Sequence, residues 1–240
     1  ITHALECDFN PMHAPNGEFV DVPLNIRPFA VSISPENFWA LRQFGENFSE
    51  DVEWFDLGGN GFQMIPIEPL EPNTDYRLLS VEYQDQIFAY LRTGTEVDEV
   101  APTASVSNVE RSQSSSDWGD TDRMIFDLVD ASEDIQVVRI EMSEDDNFAA
   151  PHQAWELVYA YGDGVSSFSV GQGLCDSSAS SDILDTHRHV RLTLYDWAGN
   201  VSEPILVDTK YEQSVRKRVG CSTSTLAAPF WLGIPLLCVM

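Results

Sequence analysis

The sequence predicts an all-β protein of two β-sandwiches in tandem, closed by a C-terminal apolar, transmembrane-like helix. Three observations predict it. Stretches in which apolar and polar residues alternate recur along most of the chain, as strands with one buried face require. Clusters of Gly, Pro, Asn and Asp separate them at the short spacing of a sandwich. From Thr223 to Met240 there is no charged side chain, although the rest of the chain is strongly acidic.

The first strands come from "EFVDVPLNIRPFAVSIS" (18–34), where Val20, Val22, Leu24 and Ile26 recur at period two, followed by Phe29, Val31 and Ile33. Pro23 and Pro28 exclude a helix there and mark edges or bends. "SPENFWALRQFGEN" (34–47) is the exception: Ser34 and Pro35 have the form of a cap and first helical position, predicting a short helix or an irregular edge. "GFQMIPIEP" (61–69), "TDYRLLSVEY" (74–83) and "QIFAYLRTG" (86–94) supply further strands. Gly58-Gly59-Asn60-Gly61 and Glu71-Pro72-Asn73 are the turns between them. Tyr76 enters its strand with the ring on the core face, so its hydroxyl can bond back to the preceding turn, as in a tyrosine corner.

The apolar pattern stops within "TEVDEVAPTASVS" (95–107), where acidic residues and Pro102 intervene. This places domains at 1–100 and 101–211, with a linker and anchor or sorting segment at 212–240. A hinge near Val97 to Thr103 would let the two halves fold independently. A new strand begins at Ala104, and strands follow at 123–130, 135–145, 154–161, 165–171, 187–196 and 203–211. Ser112 to Asp117 and Asp176 to Asp182 read as Ser/Asp-rich loops. In "YDWAGNVS" (195–202), Gly199-Asn200 favours positive φ and hence a hairpin turn. No close internal repeat relates the halves.

On these motifs residues 16–105 resemble a bacterial immunoglobulin-like domain of surface-layer and secreted proteins. The features that carry it are "NGEFVDVPLNIRPFAVSIS", "PIEPLEPNTDYRLL" and "FAYLRTGTEVDEVAPTAS", the last with Thr93-Gly94, Asp98 and Ala101-Pro102 in the manner of a tandem linker. Residues 102–210 resemble a second immunoglobulin-like or fibronectin-type-III-like module, chiefly through "RLTLYDWAGNVSEP" (191–204). The resemblance implies two immunoglobulin-like β-sandwich domains serving as spacer or adhesive modules, and it implies no catalytic residues.

Composition narrows the function. With 39 Asp+Glu against 13 Lys+Arg the formal charge is −26, which repels nucleic acid and anionic lipid surfaces. A hydrophobic fraction of 43% is enough to build cores, which excludes disorder throughout. The chain begins at Ile1 with no signal-like segment, which reads as a mature or trimmed fragment. None of Cys7, Cys175, Cys221 and Cys238 forms a C-x-x-C pair, so a zinc ribbon or thioredoxin motif has no support. Export would oxidise Cys7 and Cys175, to one another or otherwise; a thiol packed in each sandwich is an equal alternative.

Candidate chemistry is sparse. The turn from Asp196 to Asn200, with Asp127, Asp130, Glu133 and Asp134 elsewhere, offers oxygen ligands for calcium, but no D-x-D-x-D-G loop is present. Asp and Asn bonding their own backbone explain such a turn as well. "SEDDNF" (143–148) reads likewise, as a solvated loop or a weak cation site. His187 and His189 stand two apart on an expected strand and would share a face, yet no third ligand accompanies them, so no transition-metal site is assigned. G-x-S-x-G, H-E-x-x-H and a phosphate loop are all absent. Of six tryptophans, Trp118 in a Ser/Asp-rich loop is the candidate for ligand contact, and core packing suits most of them. No cofactor is implied beyond weak calcium binding.

The tail carries the location. Residues 223–240 would span about 27 Å as a helix, just short of a hydrocarbon core of about 30 Å. Gly220-Cys221-Ser222 before this apolar run resembles a myxobacterial-type C-terminal sorting signal, with Cys221 as the anchoring or processing residue. Two features depart from that pattern. No basic cluster follows Met240, and Arg216-Lys217-Arg218 precede the span, which favours the opposite orientation. The expectation is an exported, membrane- or surface-anchored, non-enzymatic protein that is a spacer or binds a surface protein or glycan. The alternative is a secreted carbohydrate-active enzyme or its accessory binding domain.

Overall fold

The computed structural model describes residues 17–31, 39–46, 49–80, 86–116, 119–158, 167–172 and 178–209. All of them belong to one compact unit, Ile1–Lys210. The fold is all-β apart from one short helix. Its first half contains β1 (Gly17–Val22), β2 (Phe29–Val31), β3 (Trp39–Gln43), β4 (Val52–Gly58), β5 (Gly61–Pro66), β6 (Asp75–Ser80) and β7 (Gln86–Thr93). These form a four-stranded sheet, β1-β7-β6-β3, and a three-stranded sheet, β2-β5-β4. The second half contains β8 (Ser105–Ser116), β9 (Gly119–Val129), β10 (Ile135–Ser143), β11 (His152–Leu157), β12 (Ser167–Gln172), α1 (Ser181–Thr186), β13 (His189–Asp196) and β14 (Ile205–Asp208). Here the sheets are β11-β10-β13-β14 and β12-β9-β8. Each half thus has the four-plus-three partition of an immunoglobulin- or fibronectin-type-III-like sandwich.

Alternation explains which residues fill each core. In the first half Phe19, Leu41, Leu78 and Leu91 from one sheet meet Ala30 and Met64 from the other. Tyr76 closes the corner: its ring is buried and its hydroxyl accepts the Glu71 N–H at 3.0 Å. The tight turn between β4 and β5 uses left-handed backbone at Gly59 and Asn60 (φ 59° and 64°), as a two-residue hairpin requires. In the second half Val138, Ile140 and Met142 of β10 sit opposite Leu194, Leu192 and Val190 of β13, and all six are buried. Across that core Phe126 and Phe168 stack at 5.0 Å between centroids. Strand β10 is buried on nearly every residue, on both faces. An edge-on sandwich would leave one face wet, so something covers the outer side of this sheet. The first half does.

Four local expectations change. Trp39–Gln43 is a strand rather than part of a helix, because pairing with β6 buries Leu41 and leaves Arg42 opposite Arg77 on the outer face. The rest of the expected helix, 34–38, lies outside the described residues. Strand β4 was not foreseen: its aromatic residues stand among acids, and only Val52 and Trp54 pack against the core. Ser112–Ser116 is the end of β8, paired with 119–123 in a long hairpin, not a loop. A two-stranded arm of this kind is held by its backbone ladder and needs no apolar period. Finally, of the expected Asp176–Asp182 loop the described residues, 178–182, lead into and begin α1, capped by Ser180 and pinned by buried Leu184. Arg111, from β8, reaches both Asp122 and the helix residue Asp185.

Candidate functional site

The turn that follows β13 is built from its own side chains. Asn200 donates its backbone N–H to Asp196 Oδ1 (2.8 Å) and its amide to Asp196 Oδ2 (3.0 Å). Gly199 sits at φ 81°, and a Cβ there would stand 2.5 Å from the Arg27 side chain. Glycine is therefore required by conformation and by space. So tight a turn projects Trp197 away from its own sandwich. The indole is completely buried in the core of the first half, 4.6 Å from the Phe19 ring, while the Trp197 carbonyl accepts the Arg27 N–H at 2.7 Å.

Around this plug the outer face of the β11-β10-β13 sheet is sealed against the first half. Phe29, Val137, Trp155 and Tyr195 form one buried cluster with Leu57 beside it. Trp155 lies 4.8 Å from Phe29 and donates its indole N–H to the Gly58 carbonyl at 2.9 Å. Gly61 has no side chain to obstruct it; a Cβ would stand 2.5 Å from the Trp155 ring. Buried Gln136 bonds to the first half through its amide, the nitrogen donating to Arg27 O (3.2 Å) and the oxygen accepting from Phe29 N (2.9 Å). The linker is tied on both sides. Asn25 exchanges two bonds with the Asp98 backbone (2.8 and 3.1 Å), and Asn200 donates to the Asp98 and Val100 carbonyls (3.2 and 3.3 Å).

At the same junction Asp98, Asp134 and Asp196 bring carboxylate oxygens within 4.8 Å of one another. Asp196 is fully buried, and burial, with the charges of Asp134 and Asp98 behind it, lifts its pKa to about 6 against the lowering effect of the Asn200 bonds. Asp134 is raised as well, by burial first and then by Asp98. Hard oxygen donors of this kind suit calcium or magnesium, although calcium's six to eight ligands would need water or main-chain oxygens too. Elsewhere the buried acids behave oppositely. Burial would raise Asp122 and Glu141, but Arg111 and Arg191 hold them below the ordinary range.

The structure brings Asp196 and Asp134 together, and adds Asp98, which the sequence marked only as a linker residue. Asn200 enters as a donor that fastens the turn to the linker. Asp127 instead accepts from Asn108 (2.9 Å), and Asp130 occupies a positive-φ position (51°). His187 and His189 do not share a strand: His187 caps α1, bonding Thr186 Oγ1 at 2.8 Å, and only His189 belongs to β13. Trp118, Cys7, Cys175 and Cys221 lie outside the described residues, as does the whole expected anchor. Among the described residues no helix is long and apolar enough to cross a membrane. Core packing was expected of most tryptophans, and for Trp197 the structure shows that the core belongs to the other half.

No protein-family model matches the chain, and no curated protein matches it in sequence. Among solved structures, the chicken CNTN1 FN1–FN3 domains align with 84% of this chain and 67% of that one, at 13% identity and a TM-score of 0.26.

Proposed function

We propose that this chain is a non-enzymatic, two-sandwich spacer and binding module of an exported protein, held at the cell surface through its C-terminal segment. The observation that carries the spacer reading is Trp197: a residue of the second sandwich fills the core of the first, so the two cannot swing without opening a core. A spacer transmits position only if its joints are stiff, and this joint is packed like an interior. Backbone 15N relaxation on the full chain tests it. Both halves are expected to share one correlation time; independent tumbling of 17–93 and 105–209 would remove the spacer reading. Anchoring is tested separately, by fractionating cells that carry Cys221→Ala or lack 220–240. A soluble protein with an unchanged melting curve is the expected result.

The calcium reading of the Asp196 turn is kept as a proposal in which Asp98, Asp134 and Asp196 act together, since their carboxylate oxygens lie within 4.8 Å of one another and crowd negative charge at the junction. Calcium should raise the melting temperature of the wild type, and Asp134→Asn should remove that increment. Equal increments in both proteins would dismiss the site.

A further inference from the structure

We propose that β4 is a docking edge for an extended, basic strand of another protein, apolar at alternate positions. The reason starts in the cross-strand rows of the β2-β5-β4 sheet. Trp54 packs on the core, so Glu53 and Phe55 point outward. One outward row runs Phe29, Gln63, Phe55, each directly opposite the next. The second half covers Phe29 and Gln63, at 0% and 3% exposure, and leaves Phe55 56% exposed. The apolar surface of the joint therefore continues past its cover. Ile65 stands opposite Glu53, and Ile67, also 56% exposed, comes next at period two, its N–H bonded to the Asp51 carbonyl at 2.9 Å.

This strip is bordered by an open ladder. β4 pairs with β5 on one side and with no described strand on the other, so its outward N–H and C=O groups form a template over Val52–Gly58. An added strand would satisfy them, and its outward side chains would lie beside Phe55 and extend the apolar strip. Charge selects the partner. Asp51, Glu53 and Asp56 are all exposed, and no ion pair engages Asp51 or Glu53 among the described residues. Negative charge is crowded here: burial first, then the charges of Glu71 and Asp51, push the neighbouring Glu50 carboxyl above its ordinary range. Opposite charges facing each other across a strand pair stabilise it, and like charges destabilise it. The acids that bar an acidic strand from this edge thus admit one carrying Lys or Arg. They turn away a second copy of this chain, whose formal charge is −26.

The inference names a partner class for the binding part of the proposed function and does not rest on its spacer or anchor parts. The probe is a capped peptide of alternating Lys and Val, titrated into the 15N-labelled full chain; a peptide of alternating Glu and Val is the control. The Lys peptide is expected to move the resonances of 51–57 and to slow hydrogen exchange there, and the Glu peptide to move none. Phe55→Ser and Glu53→Lys should each weaken binding about ten-fold or more, with little change in melting temperature because both side chains are exposed. Glu144→Lys, in the exposed acidic loop after β10, should leave the affinity unchanged. No shift, shifts spread over the acidic surface, equal binding of the Glu peptide, undiminished affinity in either β4 variant, or an equal loss in Glu144→Lys would each overturn the proposal. Shifts clustered on another surface would remove β4 and keep the binding reading. None of these outcomes alters the shared tumbling expected of the two halves, so the readings fail separately.

Discussion

Replacing Trp197 by Ala should destabilise the half of the protein to which it does not belong. The indole is fully buried among Phe19, Val22, Leu78 and Leu91, and it stacks obliquely on Phe19 at 4.6 Å. Truncating a buried aromatic side chain costs about 3–5 kcal/mol in transfer free energy and residual cavity. Of this, about 0.5–1.5 kcal/mol belongs to the aromatic contact. Collapse around the hole is restricted, because the Trp197 backbone is held by Arg27 and its turn by Gly199 and Asn200. The upper part of the range is therefore expected, about 4 kcal/mol. For a chain of this size each kcal/mol lowers the midpoint by about 2–4 °C, so a fall of about 8–16 °C should appear in calorimetry. Hydrogen exchange locates the damage: amides of β6 and β7 should lose protection, while those of β9 and β12 keep theirs. A fall of under about 1 kcal/mol, or a loss confined to the second half, would refute the argument that Trp197 is a core residue of the first sandwich.

Three further outcomes follow from the geometry. Gly61→Ala pushes a methyl group into the buried Trp155 ring. It should cost about 1–3 kcal/mol by overpacking, measured by urea denaturation, and a neutral result would mean that the ring is free to move. Tyr76→Phe leaves the Glu71 N–H without its acceptor and should lower stability by about 0.5–1.5 kcal/mol with unchanged circular dichroism; equal stability would show that water replaces the bond. The acid cluster sets a pH dependence. Because the folded pKa of Asp196 is raised from 3.8 to about 6, the folded state binds more protons between those values, and stability must fall as pH rises through that window. Melting temperature is thus expected to be higher at pH 5.5 than at pH 7.5, and Asp196→Asn should flatten the difference. An opposite slope in the wild type would discard the buried carboxylate.

The fold class was legible in the sequence because its cause is local. Period-two alternation records which face of a strand is buried, and it placed β5, β6, β7, β10 and β13 almost to the residue. The tyrosine corner was legible for the same reason: Tyr76 and the turn whose Glu71 N–H it accepts are separated by only five residues. Strand β3 was not, because a cap-like Ser34-Pro35 is a local signal and the pairing with β6 that makes 39–43 a strand is a tertiary one. The acid cluster was half legible. Asp196 declared itself through its turn, but Asp98 and Asp134 join it from 98 and 62 positions away along the chain, and only folding brings their oxygens together. Trp197 shows the limit most clearly. Its neighbours in sequence determine that it sits at the tip of a tight turn, and its size and apolarity determine that it will be buried. Which core receives it depends on how one sandwich lies against the other, and burial energy is indifferent to the origin of the surface it removes from water.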